Sequence, residues 1–202
     1  MLTLSATTRV AAVALLVLAG TAQAQQVSST ASRWELRLPS GGLIATGSQR
    51  DLLKDANLTG LQVSRSIGSR FAATGTFAWA RSRDLTISGK PKLDVFTSDL
   101  GVEAHSGEFF AQAPVTLRTF AGVGAGARSY NYRKLDVDAT NNLAGYAAAG
   151  GELGMGRVAL RIEARDYATG FKPLIGGGKS EARNDVVIMA AFRFNRRAAE
   201  AR

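Results

Sequence analysis

The sequence lacks cysteine altogether, which excludes disulfide bonds, thiol catalysis and cysteine metal ligands. It also has a single histidine, His105, so the usual base for proton transfer near neutral pH is nearly absent. This histidine lies in a predicted chain reversal, where a solvated turn residue is expected. We therefore predict no enzyme activity, no catalytic residues, and neither a cofactor nor a metal site.

Acidic residues are scarce relative to basic ones. The chain has 25 Lys and Arg against 16 Asp and Glu, and its pI is near 10.5. Such a balance can indicate nucleic-acid binding. Here, however, the basic residues are scattered singly along alternating segments, and the one dense pair is Arg196-Arg197. We expect no nucleic-acid partner, and an anionic lipid surface fits the charge better.

Long hydrophobic runs are also missing. The apolar run Val10–Ala19 has 10 residues, whereas a membrane-spanning helix needs about 20. Arg9 precedes this run and Ala22-Gln-Ala24 follows it, which is typical of a secretory signal peptide with a small-x-small cleavage site. We predict a signal peptide over 1–24 and a periplasmic segment over 25–32. If the mature chain spans a membrane, it must do so with strands.

The end of the chain shows the alternation of a β-strand with two different faces. Side chains of a strand point alternately to opposite sides. From 185 to 194, one parity has no charge and consists of Val186, Ile188, Ala190, Phe192 and Phe194. The other parity is mixed and consists of Asp185, Val187, Met189, Ala191 and Arg193. The pattern predicts one apolar wall and one mixed wall.

Turn signals divide the rest of the mature chain into strands of similar length. The predicted strands are 33–43, 58–67, 70–80, 93–104, 115–128, 142–153, 157–167 and 185–194. Tight reversals at Gly68-Ser69 and Gly154-Met-Gly156, and a longer reversal from His105 to Pro114, alternate with longer polar connections over 44–57, 81–92, 129–141 and 168–184. Transmembrane barrels show this alternation and an even strand count. We predict an all-β fold: one eight-stranded antiparallel up-and-down transmembrane β-barrel over 33–194, with 195–202 as a periplasmic tail.

Aromatic residues are few, and the predicted strands place several of them at the two rims of the barrel. Membrane barrels carry aromatic girdles at both interfaces. Phe71 and Trp79 are eight residues apart on one strand, which corresponds to roughly 20 Å of height at about 3.3 Å per residue and about 40° of tilt. The predicted girdle consists of Trp79 at the outer rim and Trp34, Phe71, Phe192 and Phe194 at the inner rim.

The inward parity of the predicted strands is charged. An eight-stranded barrel is filled by its own side chains, and unpaired ions there would cost several kcal/mol each, so we expect pairs. Gly122, Gly124 and Gly126 are expected to leave room for arginines opposite. The predicted structural plug is a lumen charge network of Glu35, Arg37, Asp99, Glu103, Arg118, Glu152, Arg161, Glu163, Arg165 and Arg193. A gated water path between these charges is the alternative.

The signal segment, the alternation, the girdles and the terminal Phe192-Arg-Phe194 together resemble the small outer-membrane β-barrel domain family, the OmpA/OmpW-like group. The resemblance covers approximately 33–194. It implies location in the cell outer membrane, contact with outer-membrane lipids and lipopolysaccharide, and recognition of the final strand by the barrel-assembly machinery. We expect a monomer, and no surface ligand follows from the loop residues.

The expected function is that of a non-enzymatic outer-membrane barrel that displays surface loops on a plugged, rigid stem. Such a protein has a structural, adhesive or surface-binding role, and the fold alone does not select among these roles. Two alternatives remain open on the sequence: a narrow pore for small solutes, and a soluble periplasmic barrel that binds a ligand with its faces reversed.

Overall fold

The fold is a closed antiparallel barrel. The computed structural model describes residues 34–109, 115–155, 158–171 and 181–194. β1 and β2 both pair with β3, each strand from β3 onward pairs with the next along the chain, and the pairing of β2 with β9 closes the ring. The strands are β1 Trp34–Arg37, β2 Ser40–Ala45, β3 Ala56–Ile67, β4 Phe71–Arg83, β5 Lys92–His105, β6 Val115–Tyr132, β7 Thr140–Met155, β8 Val158–Phe171 and β9 Glu181–Phe194.

β1 and β2 are two halves of one barrel strand, so the nine segments form eight barrel strands. Trp34 pairs with Arg65, and Ser40 pairs with Thr59, in one continuous register along β3. Pro39 lies between the halves and has no N–H to donate to the ladder, which interrupts the strand there. Its carbonyl still accepts a hydrogen bond of 2.9 Å from the Gly60 N–H. The predicted eight-stranded antiparallel architecture is confirmed.

The strands extend further at the end with the long connections, here called the loop end, than the sequence predicts. β6 continues to Tyr132 instead of ending at 128, and β7 begins at Thr140 instead of 142. Ser129 pairs with Asn141 inside this added ladder. The sequence predicts a loop over 129–141 because Ser and Asn, which occur there, are common in turns. The backbone pairing continues through them because nothing between 128 and 132 forces a reversal.

At the opposite end, here called the turn end, two connections are short, and the one between His105 of β5 and Val115 of β6 is longer. Residues 68–70 join β3 to β4, and Gly68 has a φ of 71°, which a side chain would disfavour. β7 ends at Met155 and β8 begins at Val158, close to the predicted reversal at 154–156. The predicted signal peptide, the segment over 25–32 and the tail over 195–202 lie outside the described residues. No helix in the described ranges is long and apolar enough to cross a membrane.

The outer surface of the barrel carries a broad apolar belt. Among the predicted girdle residues, Trp34, Phe71 and Phe192 are exposed on this surface, and Trp79 occupies an outward position of β4. The side chain of Phe194 lies outside the described part. Other exposed apolar side chains on outward strand positions are Leu36, Leu61, Ile67, Phe77, Leu100, Val102, Val123, Leu143, Leu153, Met155, Val158, Ile162 and Ile188. A water-soluble protein rarely exposes so much contiguous apolar surface.

The interior has two layers. Toward the loop end it is mostly apolar around one buried ion pair, and the rings of Tyr130 and Phe171 pack at 4.7 Å between centroids. The connection after β2 covers this layer. In it, Leu53 is buried and forms an isolated antiparallel β-bridge with Asp84, which follows β4. The layer also contains Leu43, Ala45, Leu93, Val95, Val187 and Met189. Below it, toward the turn end, the interior is charged.

Candidate functional site: the charged lumen and the outer rim

Three charged side chains of β8 project into the lumen from alternate positions: Arg161, Glu163 and Arg165. All three are buried, with exposed fractions of 2%, 3% and 0%. The Arg161 Nη2 donates to Glu163 Oε2 at 2.9 Å, and the Arg165 Nε donates to Glu163 Oε1 at 2.6 Å. One carboxylate therefore holds two guanidinium groups on its own strand.

The same arginines reach across the lumen to β5, which is separated from β8 by β6 and β7. The Arg161 Nη2 donates to Glu103 Oε1 at 2.7 Å. The Arg165 Nη1 donates to Asp99 Oδ1 at 2.9 Å, and its Nη2 donates to Thr76 Oγ1 at 3.0 Å. Buried ion pairs are stable only when their remaining donors and acceptors are also engaged. These bonds tie β4, β5 and β8 together through the centre of the barrel.

Aromatic rings cover the faces of the buried arginines. The Arg161 guanidinium carbon lies 3.5 Å from the centroid of the Phe120 ring, and that of Arg165 lies 4.5 Å from the centroid of Tyr146. The Tyr167 hydroxyl donates to Asp99 Oδ2 at 2.7 Å. Desolvated cation–π contacts are among the stronger ones, at about 2 kcal/mol or more. The arginines are thus held at the edge by carboxylates and on the face by rings.

The glycine row of β6 serves a different purpose from the predicted one. A Cβ on Gly124 would lie 2.4 Å from a Tyr146 ring carbon, and one on Gly101 of β5 would lie 2.1 Å from the Tyr146 hydroxyl. At Gly122 and Gly126 a Cβ would meet the backbone of β5. The absence of a side chain at these glycines therefore makes room for the Tyr146 ring and lets β5 and β6 approach closely. The glycines were predicted to leave room for arginines opposite, and at Gly124 that room is occupied by the Tyr146 ring, whose face Arg165 covers.

A second cluster lies at the turn end. The Arg193 Nη1 donates to Glu35 Oε1 at 2.8 Å, and the same guanidinium contacts Glu152. Arg37 contacts Glu35 and donates from Nη1 to Gln62 Oε1 at 3.1 Å. The cluster joins β1, β3, β7 and β9 at the mouth of a cavity of about 110 Å³. Nine of the ten predicted lumen charges thus meet in two groups. One consists of Arg161, Glu163, Arg165, Asp99 and Glu103, and the other of Glu35, Arg37, Glu152 and Arg193.

Two sequence expectations at this end need correction. Arg118 pairs with Glu108 at 2.8 Å, and both side chains are well exposed, so Arg118 stands apart from the buried network. His105 is the last residue of β5 and not a solvated turn residue. Its Nε2 lies 3.3 Å from Glu103 Oε2, and its ring packs 5.8 Å from Phe120. The strand continues one residue further than predicted, and the inward parity carries the imidazole inside.

The loop end contains a buried ion pair that the sequence reading missed. Arg128 and Asp185 contact each other and are both fully buried. The Arg128 Nε also donates to Thr97 Oγ1 at 3.2 Å, and the Gln49 Nε2 donates to Asp185 Oδ2 at 3.2 Å. Both ions lie at the ends of their predicted strands, 115–128 and 185–194, and are not part of the predicted charge network. Continuing the inward parity would have identified them.

Within the described residues, the buried charges of the lumen form ion pairs with one another, while Arg37 Nε, Arg128 Nη2 and Arg161 Nη1 have no hydrogen-bond partner. Across the described ranges, no group of three or more His, Asp or Glu side chains is arranged to hold a metal ion. Each of the carboxylates Asp99, Glu103 and Glu163 accepts hydrogen bonds from an arginine. The arrangement fixes the strands relative to one another, which is a structural role.

The rim of the barrel at the loop end is basic. The Arg81 guanidinium carbon lies 4.2 Å from the centroid of the Trp79 ring, and that of Arg133 lies 5.9 Å from it. Arg133 also donates to both oxygens of Asp94, at 2.6 and 2.8 Å, and these bonds raise the pKa of Arg133. An open groove of about 510 Å³ runs past these residues. Trp79 therefore lies where the apolar belt ends and a cationic surface begins.

Comparison with known proteins bears on the fold. No family model matches the chain, and no curated protein matches it in sequence. The crystal structure of Neisserial surface protein A (NspA) matches in shape with a TM-score of 0.52, at 11% sequence identity. The match covers 82% of this chain and 100% of that one. At this identity the likeness concerns the fold alone, so the OmpA/OmpW-like resemblance stays a prediction, and the chain shares its barrel architecture with NspA.

Proposed function

We propose that the chain is a non-enzymatic protein of the cell outer membrane, in which a plugged barrel displays surface loops. The observation that carries this proposal is the inverted distribution of side chains. Apolar residues such as Phe77 and Leu100 are exposed outside, whereas Glu163 and Arg165 are buried inside. Exposing the belt to water costs a free energy of about 25 cal/mol for each Å² of apolar surface. Contact with lipid removes that cost. A soluble periplasmic barrel would need the opposite arrangement.

The height of the apolar belt supports a membrane span. On the outward face of β4, apolar residues run from Phe71 to Trp79, and the next outward residues are Arg81 and Arg83. That interval corresponds to roughly 20 Å of height at about 40° of strand tilt, close to the apolar band of about 25 Å in membrane barrels. The strands continue above it, so the loop end projects beyond the hydrocarbon.

The connections suggest the orientation. All four connections at the loop end are long, over 46–55, 84–91, 133–139 and 172–180. Two of the three at the turn end, 68–70 and 156–157, are short, and the third, 106–114, is longer. Outer-membrane barrels place long loops outside the cell and short turns in the periplasm. The solved structure of the same fold is named a surface protein, which is consistent with loops that face the exterior. We place the loop end at the cell surface, in contact with lipopolysaccharide.

The side chains that fill the lumen favour a plugged barrel over a narrow pore. The ion network around Glu163 joins strands on opposite sides of the barrel, and the apolar layer around Leu93 and Tyr130 lies between this network and the loops. An aqueous path would have to pass both layers. The proposed role is therefore display of the loops, with barrel assembly in the outer membrane by the cell's assembly machinery.

The plug predicts that the protein does not conduct ions. Wild-type protein reconstituted into planar bilayers should give no steady, reproducible conductance above that of detergent buffer alone. Heat-modifiable mobility on a gel, which reports a folded barrel, shows that the reconstituted protein is native. A steady conductance that changes with Glu163→Lys would contradict the plugged stem and support the pore.

A further inference from the structure

The basic rim at the loop end contains more positive charge than its own carboxylates can neutralise. The groove beside Trp79 is lined by the cationic side chains of Lys54, Arg81, Arg83, Lys92 and Arg133. Its acidic residues are Asp55 and Asp94. Asp94 is engaged by Arg133, and Asp55 accepts the backbone N–H of Ala45 at 2.9 Å. Three positive charges remain in excess.

The excess cations are exposed. Arg81, Arg83 and Lys92 are all solvent-exposed, and none of them forms an ion pair with a carboxylate in the described part of the chain. Arg83 and Lys92 face each other in the β4–β5 register, on the same outward side as Arg81. Like charges directly opposite each other on neighbouring strands destabilise a sheet. A bound anion would offset the repulsion between Arg83 and Lys92. The arrangement fits an anionic ligand.

The position of the groove relative to the apolar belt suggests what that anion is attached to. Trp79 marks the top of the belt, and Arg81 stacks on it at 4.2 Å. Below it, the outward residues Leu61 and Phe77 are exposed and apolar. A ligand with acyl chains and a phosphorylated headgroup would place the chains on Leu61 and Phe77 and the phosphates against the arginines. Arginine and phosphate form bidentate, charge-assisted hydrogen bonds.

We propose that this groove binds the phosphorylated sugar headgroup of an outer-leaflet glycolipid, with the phosphates held by Arg81, Arg83 and Lys92. The proposal rests on the proposed function, since it requires the loop end to face the outer leaflet. It goes beyond that function by giving the barrel a defined lipid site. The turn end offers a matched comparison, because Arg65 stacks on Trp34 at 5.4 Å in the same way at the opposite rim.

The test uses full-length protein refolded into phosphatidylcholine vesicles that contain either diphosphorylated lipid A or lipid A stripped of its phosphates. After gentle extraction into detergent, native mass spectrometry counts the glycolipid molecules retained on each barrel. Wild-type protein should retain lipid A and lose the phosphate-free form. The triple variant Arg81→Gln, Arg83→Gln, Lys92→Gln should retain lipid A at least about tenfold more weakly, because each cation near an anionic headgroup contributes to attraction. Arg65→Gln should behave as wild type.

The wild-type comparison of the two lipids needs no substitution, so the test does not depend on folding of the variant. Equal retention of phosphorylated and phosphate-free lipid by wild type would overturn the phosphate site. Equal loss of lipid A in Arg65→Gln and in the triple variant would also overturn it, because binding would then be unspecific. Failure of the protein to form a heat-modifiable barrel in either vesicle would instead contradict the membrane barrel itself.

Discussion

Replacing Glu163 by Ala should lower the free energy of unfolding of the barrel by about 3–5 kcal/mol, since the change leaves buried arginines without their shared partner. Glu163 accepts hydrogen bonds from both Arg161 and Arg165, at 2.9 and 2.6 Å. After the substitution each arginine keeps only one carboxylate partner, Glu103 for Arg161 and Asp99 for Arg165. The effect is measurable by urea unfolding in lipid vesicles, followed by the fluorescence of Trp34 and Trp79.

Glu108→Ala is the matched control for this prediction. Glu108 also pairs with an arginine, Arg118, at 2.8 Å, but both side chains are well exposed. Exposed ion pairs contribute about 0–1 kcal/mol. Each variant removes a glutamate carboxylate that pairs with an arginine. The two ion pairs differ in burial. Similar losses of stability in Glu163→Ala and Glu108→Ala would show that the lumen network is not a buried ion network in solution.

Replacing Ile188 by Arg should lower the free energy of unfolding in a bilayer by about 2–4 kcal/mol, because the new charge would face the hydrocarbon near the middle of the belt. Ile188 is an outward residue of β9 and is 44% exposed. Asn131→Arg is the control, since Asn131 is an exposed outward residue of β6 at the loop end, where the cost should be about 0–1 kcal/mol. Urea unfolding in vesicles measures both.

The contrast between these two variants also separates a membrane barrel from a soluble one. If the belt faced water, arginine at 188 would be as harmless as arginine at 131. Equal stability of Ile188→Arg and Asn131→Arg in vesicles would therefore contradict the assignment of the belt to lipid.

The fold was predictable from the sequence because a barrel strand has two faces of different chemistry. In β8 the outward Val158 and Ile162 alternate with the inward Arg161 and Glu163, and the period of two identifies both the strand and its faces. The strand ends at the loop end were not predictable in the same way. Ser129 and Asn131 have the composition of a turn, yet they remain in the ladder of β6.

The charged residues of the lumen could be placed inside by parity, but their partners could not be read from parity. The contact of Arg161 with Glu103 joins strands that are three places apart in the barrel, so it depends on the register of every pairing between them. Arg118 has inward parity, but at the turn end it meets Glu108 instead. Local pattern determines the face of a residue, and the global register determines what it meets.

The central claim is that the chain crosses the outer membrane with its loop end outside the cell. The chain has no cysteine, so Asp136→Cys in the connection after β6 and Ser69→Cys in the turn after β3 each introduce a single thiol at an exposed position. The measurement is labelling of intact Gram-negative cells with a maleimide attached to a polymer too large for porins. Asp136→Cys should be labelled on intact cells, and Ser69→Cys only after the outer membrane is permeabilised. Labelling of Ser69→Cys on intact cells, or protection of both thiols until permeabilisation, would contradict the account.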